Sequence, residues 1–282
     1  MAPAIPAEAA PVGSATRYEI DGVVATITLD RPEQRNALSV DLVNSLGDRL
    51  SDAQRSEDVR VIVLTNSGPA FCAGADLKRG TSPAVRGDAR WTLPEIFGLI
   101  TDGDRPVIAK IAGHCMGGGV GLAAACDLSV AADDVQFGFT EVRRGVAPAV
   151  ISVVCLAKLG RGDAAELFLT GRRISAAKAA AVGLINLSVP RCDLDAATSD
   201  IADEVMAGAP HALAVVKQLI REVPAMERSA AFDWTARLSA ELFSSAEAAA
   251  GMAAFRDKTD PPWVTDRAGP RKPEAESRRD AT

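Results

Sequence analysis

Residues 113–132 read GHCMGGGVGLAAACDLSVAA, and their order decides the class of fold. The stretch follows Val107 to Ala112, a continuous apolar run that predicts a buried strand. A loop of small residues (113–122) then passes into an Ala-rich segment of helical composition, and Leu128–Ala131 returns to a strand. Strand, helix and strand in such short compass predict an α/β layer arrangement.

Working toward the N-terminus, Val61 to Thr65 is a second continuous apolar run, followed by a second small-residue loop, GPAFCAGADLK (68–78). Before it, Ser39 can cap a helix whose apolar residues Leu42, Val43, Leu46, Leu50 and Ala53 recur at spacings of three and four. Residues 17–30, RYEIDGVVATITLD, are two β-rich runs around Asp21-Gly22, a pair that suits a two-residue hairpin turn. Toward the C-terminus, Val135–Phe139 is read with Leu128–Ala131 as a third strand pair. Helical patterns then occupy 150–159, 162–169, 175–182, 193–206, 210–223 and 229–256, with one late strand at Ile185–Val189. Residues 1–16 and 264–282 read as disordered tails, leaving a core over 17–200 and a helical region over 201–263.

At 282 residues the chain can bury a full core without staples, and its net charge of −6 argues against an electrostatic grip on nucleic acid or an anionic membrane. Any anion must be bound locally. Apolar residues make up 48% but only 8 Phe, 3 Trp and 1 Tyr are aromatic, so the interior is filled by Ala, Val, Leu and Ile. Five dispersed cysteines (72, 115, 126, 155, 192) without a C-x-x-C spacing disfavour a disulfide framework or zinc site. No metal is expected. Residues 1–16 lack a basic start, and Pro6 and Glu8 interrupt any apolar run, so a cytoplasmic location is the expectation.

Two small-residue loops after buried strands can present open backbone N–H groups, which is what an oxyanion hole requires. Two preorganised donors about 3 Å from a developing oxyanion contribute roughly 3–4 kcal/mol each. Gly117-Gly118-Gly119 at the head of a helix adds that helix's positive end. The plainer role of these glycines is tight turns and close packing. A rival motif, Gly119-x-Gly121-x-x-Ala124 with Glu141 beyond it, matches a dinucleotide fingerprint, but six residues separate it from the strand end at Ala112. That spacing argues against nicotinamide or flavin binding.

The segments RPEQRNAL (31–38), AFCAGADLK (70–78), GHCMGGGVGLAAACDLSVAA (113–132), FGFTEVRRGVAP (137–148), TGRRISAAKAAAVGLIN (170–186) and GMAAFRDKTDPPW (251–263) resemble, in order, the signatures of the crotonase superfamily, the enoyl-CoA hydratase/isomerase family. The resemblance spans 17–263 and implies a spiral of ββα units, a C-terminal helical trimerisation region, a homotrimer or a hexamer built as a dimer of trimers, and an acyl-CoA thioester as ligand. It implies no separate cofactor, coenzyme A being part of the substrate. Carried over by motif, the oxyanion hole falls on the N–H groups of Ala75 and Gly118. Substrate contacts fall on Arg35, Ala37, Leu38, Ala73, Asp76, Leu77, Met116 and Gly117, with Phe255 and Lys258 approaching the CoA phosphates, often from a neighbouring subunit. Asp76 equally suits a loop-fixing Asx role, and Lys258 a solvated surface charge.

Standard hydratases of this family use two glutamates, although hydratases of branched acyl-CoAs such as the 3-methylglutaconyl-CoA type, which this sequence also resembles, can have Gly at the first position. Here the first position is Gly121, and the second is present as Glu141. Glu141 next to apolar residues should be partly desolvated, which favours acid/base work; its alternative is an ion pair with Arg143 or Arg144. The resemblance therefore implies a hydratase that adds water across the 2,3 double bond with one glutamate. The alternatives are an isomerase that shuttles a proton through that glutamate, another reaction of the superfamily such as thioester hydrolysis or decarboxylation, and a non-catalytic acyl-CoA binder. Cys72 and Cys115 flank the loops but lack a histidine base, since His114 should point away from Cys115 and His211 reads as a surface residue. Arg79, Arg86 and Arg90 lie in a variable stretch where an arginine could meet a substrate carboxylate.

Overall fold

A computed structural model describes residues 14–76, 87 and 89–264. The chain opens on the hairpin β1 (Thr16–Asp21) and β2 (Val24–Leu29), paired antiparallel with Asp21 opposite Val24. The two-residue loop is therefore Gly22-Val23, one residue later than expected. Gly22 has φ +57, which suits a loop that needs positive φ only at its first central residue. Part of the expected tail is folded as well: Ala15 and Thr16 are buried, and the Ser14 and Thr16 hydroxyls both bond Ser45 Oγ.

Helix α1 (Val40–Arg55) starts where Ser39 Oγ accepts the Leu42 N–H, and it buries Leu42, Val43, Leu46, Leu50 and Ala53 as their spacing predicts. Strand β3 (Val61–Asn66) follows, buried along its whole length. After β4 (Ala70–Cys72) come α2 (Leu93–Thr101), β5 (Val107–Ile111), β6 (His114–Met116), α3 (Gly118–Ala125), β7 (Leu128–Ala132), β8 (Gln136–Gly138), α4 (Ala149–Cys155), α5 (Arg161–Thr170), β9 (Arg173–Ser175), α6 (Ala176–Ala181) and β10 (Leu187–Val189). The last four helices are α7 (Leu194–Met206), α8 (Pro210–Glu222), α9 (Arg228–Phe243) and α10 (Ala246–Asp257).

The strands form two sheets. The larger runs β1-β2-β3-β5-β7-β10, parallel from β2 onward, and the smaller runs β4-β6-β8-β9. Three expectations change here. Residues 70–72 and 114–116, read as loop, are short parallel strands of the smaller sheet, and 173–175 joins them as a further strand. Strands of three residues are too short for a period-2 pattern to register. The segments 128–132 and 136–138 are not a pair: β7 lies in the larger sheet and β8 in the smaller. The stretch 229–256 is two helices, because Ser244 ends α9 and Ser245 Oγ caps α10 through the Ala248 N–H.

Alternation along β3 explains why the larger sheet is covered on both faces. Ile62 and Leu64 join the main core with Leu42, Leu46 and Leu50 of α1, whereas Val61 and Val63 join Val24, Ile108, Ala202 and Met206, the last two from α7. Truncating a leucine such as Leu46 to alanine would remove about 2–5 kcal/mol. Helix α7 thus belongs to the packed core. Lys217 of α8 is buried too, its ammonium donating to Ile100 O (2.8 Å) and Asp127 Oδ2 (2.6 Å), while α9 buries no residue.

Candidate active site

The site is assembled from the segments that follow β2, β4, β6 and β8. Arg35 and Asn36 both adopt positive φ (53° and 49°), a conformation asparagine tolerates better than most residues. Asn36 is fully buried. Its Oδ1 accepts the Arg31 N–H (2.7 Å), and its Nδ2 donates to Ser67 O (3.1 Å) and Ala70 O (2.8 Å). This pins the 31–38 turn onto the entrance of β4. The contact continues downstream, with Ala73 N–H on Arg35 O (3.0 Å), Leu38 N–H on Gly74 O (2.8 Å) and an isolated parallel bridge between Leu38 and Ala75. Asn36 was not singled out in the sequence; its signal there is an asparagine inside a proline-led turn, RPEQRN.

The 73–75 loop lies directly on the start of α3. Gly74 has φ +86, and a Cβ on it would stand 3.0 Å from Met116 O and 3.2 Å from Gly118 N. Gly117 (φ +52) donates its N–H to Gly138 O (2.9 Å) and accepts from Val120 N (2.9 Å) and Gly121 N (3.3 Å). Gly118 is the first residue of α3, so its N–H stands outside the intrahelical ladder. Among the described residues, neither the Ala75 nor the Gly118 N–H donates to a protein acceptor. Gly74 is needed for this approach, since its Cβ would crowd backbone atoms at φ +86, whereas a Cβ at Gly118 would meet Leu38 Cδ1 at 2.5 Å, the end of a side chain.

Glu141 reaches this junction from a 3₁₀ turn, Thr140–Arg144, that follows β8. Buried Phe139, packed 4.4 Å from the ring of Phe168, anchors the turn. Glu141 Oε1 lies 3.1 Å from where a Cβ on Gly117 would be, and Oε2 is buried with no hydrogen-bond partner. Burial pushes the carboxyl above the ordinary glutamate range, partly offset by its own backbone amide and the Arg144 charge. The expected alternative, an ion pair with a neighbouring arginine, does not form. Arg143 Nε donates to Thr170 O (3.0 Å), and Arg144 Nη1 bonds the carbonyl and hydroxyl oxygens of Thr140.

Gly121, where a second glutamate is absent, is walled in. A Cβ there would stand 2.4 Å from Ile151 Cγ2, 2.8 Å from Ile151 Cβ and 2.8 Å from Phe97 Cζ. The empty position in the sequence is thus a filled position in space.

Of the other candidates, Arg35 and Ala73 are exposed and Ala37, Asp76 and Met116 half-buried around the same loops, while Leu77 lies outside the described residues, as do Arg79 and Arg86. Phe255 (86% exposed) and Lys258 sit at the end of α10, and no hydrogen bond or ion pair among the described residues ties them to the Glu141 junction. Lys258 adopts φ 56° and closes α10 through its N–H to Ala254 O. Arg90 is drawn to α1, where it pairs with Asp48 and its N–H meets Asn44 Oδ1 (2.7 Å). Cys72 and Cys115 are buried; burial pushes the Cys72 thiol up to about 12 and raises that of Cys115 as well, which suits packing and not nucleophilic attack. His114 Nδ1 accepts the Gln136 N–H (3.1 Å), and His211 is exposed at the start of α8. Among the described residues no group of three or more His, Cys, Asp or Glu could hold a metal, and no helix is long and apolar enough to cross a membrane.

A family model described as Enoyl-CoA hydratase/isomerase matches residues 19–266. The chain belongs to that family. It is 34% identical over 250 residues to a mevalonyl-coenzyme A hydratase of Aspergillus fumigatus, covering 85% of this chain and 91% of that protein. It is 29% identical over 250 residues to a short-chain-enoyl-CoA hydratase of Clostridium acetobutylicum, covering 85% of this chain and 94% of that one. The crystal structure of an enoyl-CoA hydratase from Mycobacterium smegmatis superposes with a TM-score of 0.82 at 30% identity, covering 89% of this chain and 99% of that one. The two sheets and the helices that follow are therefore the crotonase fold of the enoyl-CoA hydratase/isomerase family.

Proposed function

We propose that this crotonase-type enzyme hydrates the 2,3 double bond of an acyl-CoA thioester, with Glu141 as its acid/base group. One observation carries the reading: a desolvated carboxylate faces a junction where two backbone N–H groups, those of Ala75 and Gly118, have no protein acceptor among the described residues. The thioester oxygen binds between these donors, and polarisation makes the β-carbon electrophilic. Glu141 takes a proton from water as the hydroxyl bonds that carbon. The electron pair of the double bond moves toward the thioester and is held as an enolate. The same carboxyl then gives its proton to the α-carbon, which leaves Glu141 ionised for the next turn.

Arg35, Ala37, Leu38, Ala73, Asp76, Leu77, Met116 and Gly117 hold the coenzyme A portion. The exposure of Phe255 and Lys258 suits a ligand carried by a neighbouring subunit of a homotrimer or a dimer of trimers. The reaction needs no separate cofactor, and the enzyme works in the cytoplasm.

The filled space at Gly121 favours a second reading, isomerisation, because proton transfer between two carbons of a 3-enoyl-CoA needs one carboxylate and no water. Incubation with crotonyl-CoA, 3-methylglutaconyl-CoA and a 3-enoyl-CoA, followed by mass, separates the two. Gain of one water supports hydration. A moved double bond at constant mass supports isomerisation, and binding without either leaves a silent acyl-CoA binder.

A further inference from the structure

We propose that Ile151 of α4, backed by Phe97 of α2, bars a second carboxylate from this site: it occupies the volume a side chain at position 121 would enter and so confines the proton chemistry to Glu141. The inference rests on the acid/base role proposed for Glu141.

Three observations place the obstruction beside the reacting centre. The Gly121 N–H donates to Gly117 O (3.3 Å), so Gly121 lies one turn along α3 from the glycine that faces Glu141 Oε1. Ile151 and Cys155 lie one turn apart on the same face of α4. Burial pushes the Cys155 thiol up and the Glu141 charge adds to it, in keeping with a carboxylate on the side of α4 that meets Gly121. Ile151 and Phe97 are both buried. A β-branched side chain in a packed helix has one strongly preferred rotamer, so Ile151 cannot swing aside.

Two consequences separate this from ordinary core packing. A second carboxylate cannot be restored by changing Gly121 alone, because even its Cβ collides with Ile151. Among the described residues Glu141 is then the carboxylate set against the head of α3, so turnover is expected to show one carboxylate ionisation, in which the ionised form is active.

The test uses full-length Gly121→Glu, Ile151→Gly and the double variant with crotonyl-CoA as probe. Glycine is chosen at 151 because alanine would keep the Cβ that stands 2.8 Å from the new side chain. Gly121→Glu is expected to lower Tm by about 5 °C or more. The double variant is expected to lose less than the sum of the two single losses. In wild type, kcat/KM should rise with pH through one ionisation and then level; the folded double variant should gain a falling alkaline limb, as one carboxyl must then stay protonated while the other is ionised. The inference is overturned if Gly121→Glu keeps the wild-type Tm, if the losses simply add, or if the folded double variant keeps the single-limb profile. A wild type that neither hydrates crotonyl-CoA nor exchanges its α-hydrogen overturns the role of Glu141 instead, and the Tm coupling then decides the steric assignment by itself.

Discussion

Glu141 Oε1 stands 3.1 Å from the point where a side chain on Gly117 would begin, so the absence of a side chain at 117 is what lets the carboxylate sit against the head of α3. Gly117 also holds φ 52°, ψ −121°, a conformation that L-residues rarely adopt. Gly117→Ala should therefore both strain the backbone, by about 1–3 kcal/mol, and displace the carboxylate. The contact asks the carboxylate to give by a few tenths of an ångström, so kcat should fall, though by less than the roughly 10²-fold that a 1 Å misplacement costs. Steady-state kinetics on folded variant protein check this; a wild-type kcat would mean that the carboxylate position does not control the rate.

Glu141→Gln should abolish turnover and yet stabilise the fold at neutral pH. The folded-state carboxyl titrates above the ordinary glutamate range because burial penalises its charge. Its favourable contribution to stability is therefore present at low pH, where it is protonated, and is lost as pH rises through the raised value. Glutamine has no charge to desolvate, so the variant should melt higher than wild type at pH 7–8, with the gap closing below the ordinary glutamate range. Thermal unfolding at several pH values reads the effect. The same ionisation should appear in wild-type kcat/KM as an acid limb above the ordinary glutamate range.

Gly118→Pro removes the backbone N–H assigned to the oxyanion, and Gly118→Ala is its control. Both add a Cβ against Leu38 Cδ1, the end of a side chain that can move, and proline is tolerated at the first position of a helix. The difference between the two variants therefore isolates the donor. Turnover should fall by about 10²–10³ more in the proline variant than in the alanine variant. Equal rates in two folded proteins would remove Gly118 from the oxyanion site.

What could be read in the sequence was what depends on near neighbours. Ser39 caps α1 through a residue three positions on, and the apolar residues of α1 face one way because their spacing makes them do so. The small-residue loops at 68–78 and 113–122 were legible because they follow continuous apolar runs, while the choice of Ala75 and Gly118 within them came from the family resemblance. The strands of the smaller sheet were not, since each of 70–72, 114–116 and 173–175 is held by partners 22 to 44 residues away and has no pattern of its own. Gly121 shows the limit most clearly. The missing carboxylate is visible at once, but that Ile151 and Phe97 fill its place depends on α4 and α2 packing across α3.

Asn36 tests whether the turn that carries Arg35, Ala37 and Leu38 is a pre-set part of the site. Its side chain holds three backbone groups, those of Arg31, Ser67 and Ala70, and its own φ is 49°. Asn36→Gly removes the side-chain bonds while keeping the conformation accessible, whereas Asn36→Ala removes the bonds and adds backbone strain. Leaving buried polar groups unpaired costs about 1–3 kcal/mol each, so both variants should lose several kcal/mol in denaturant unfolding, alanine more than glycine. Because Leu38 N–H bonds Gly74 O and Ala73 N–H bonds Arg35 O, loosening the turn also loosens the 73–75 loop. KM for an acyl-CoA substrate should rise in the folded fraction of Asn36→Gly, together with a fall in kcat as the Ala75 donor loses its fixed position. A variant that loses stability but keeps both constants would show that the turn supports the fold and not the site.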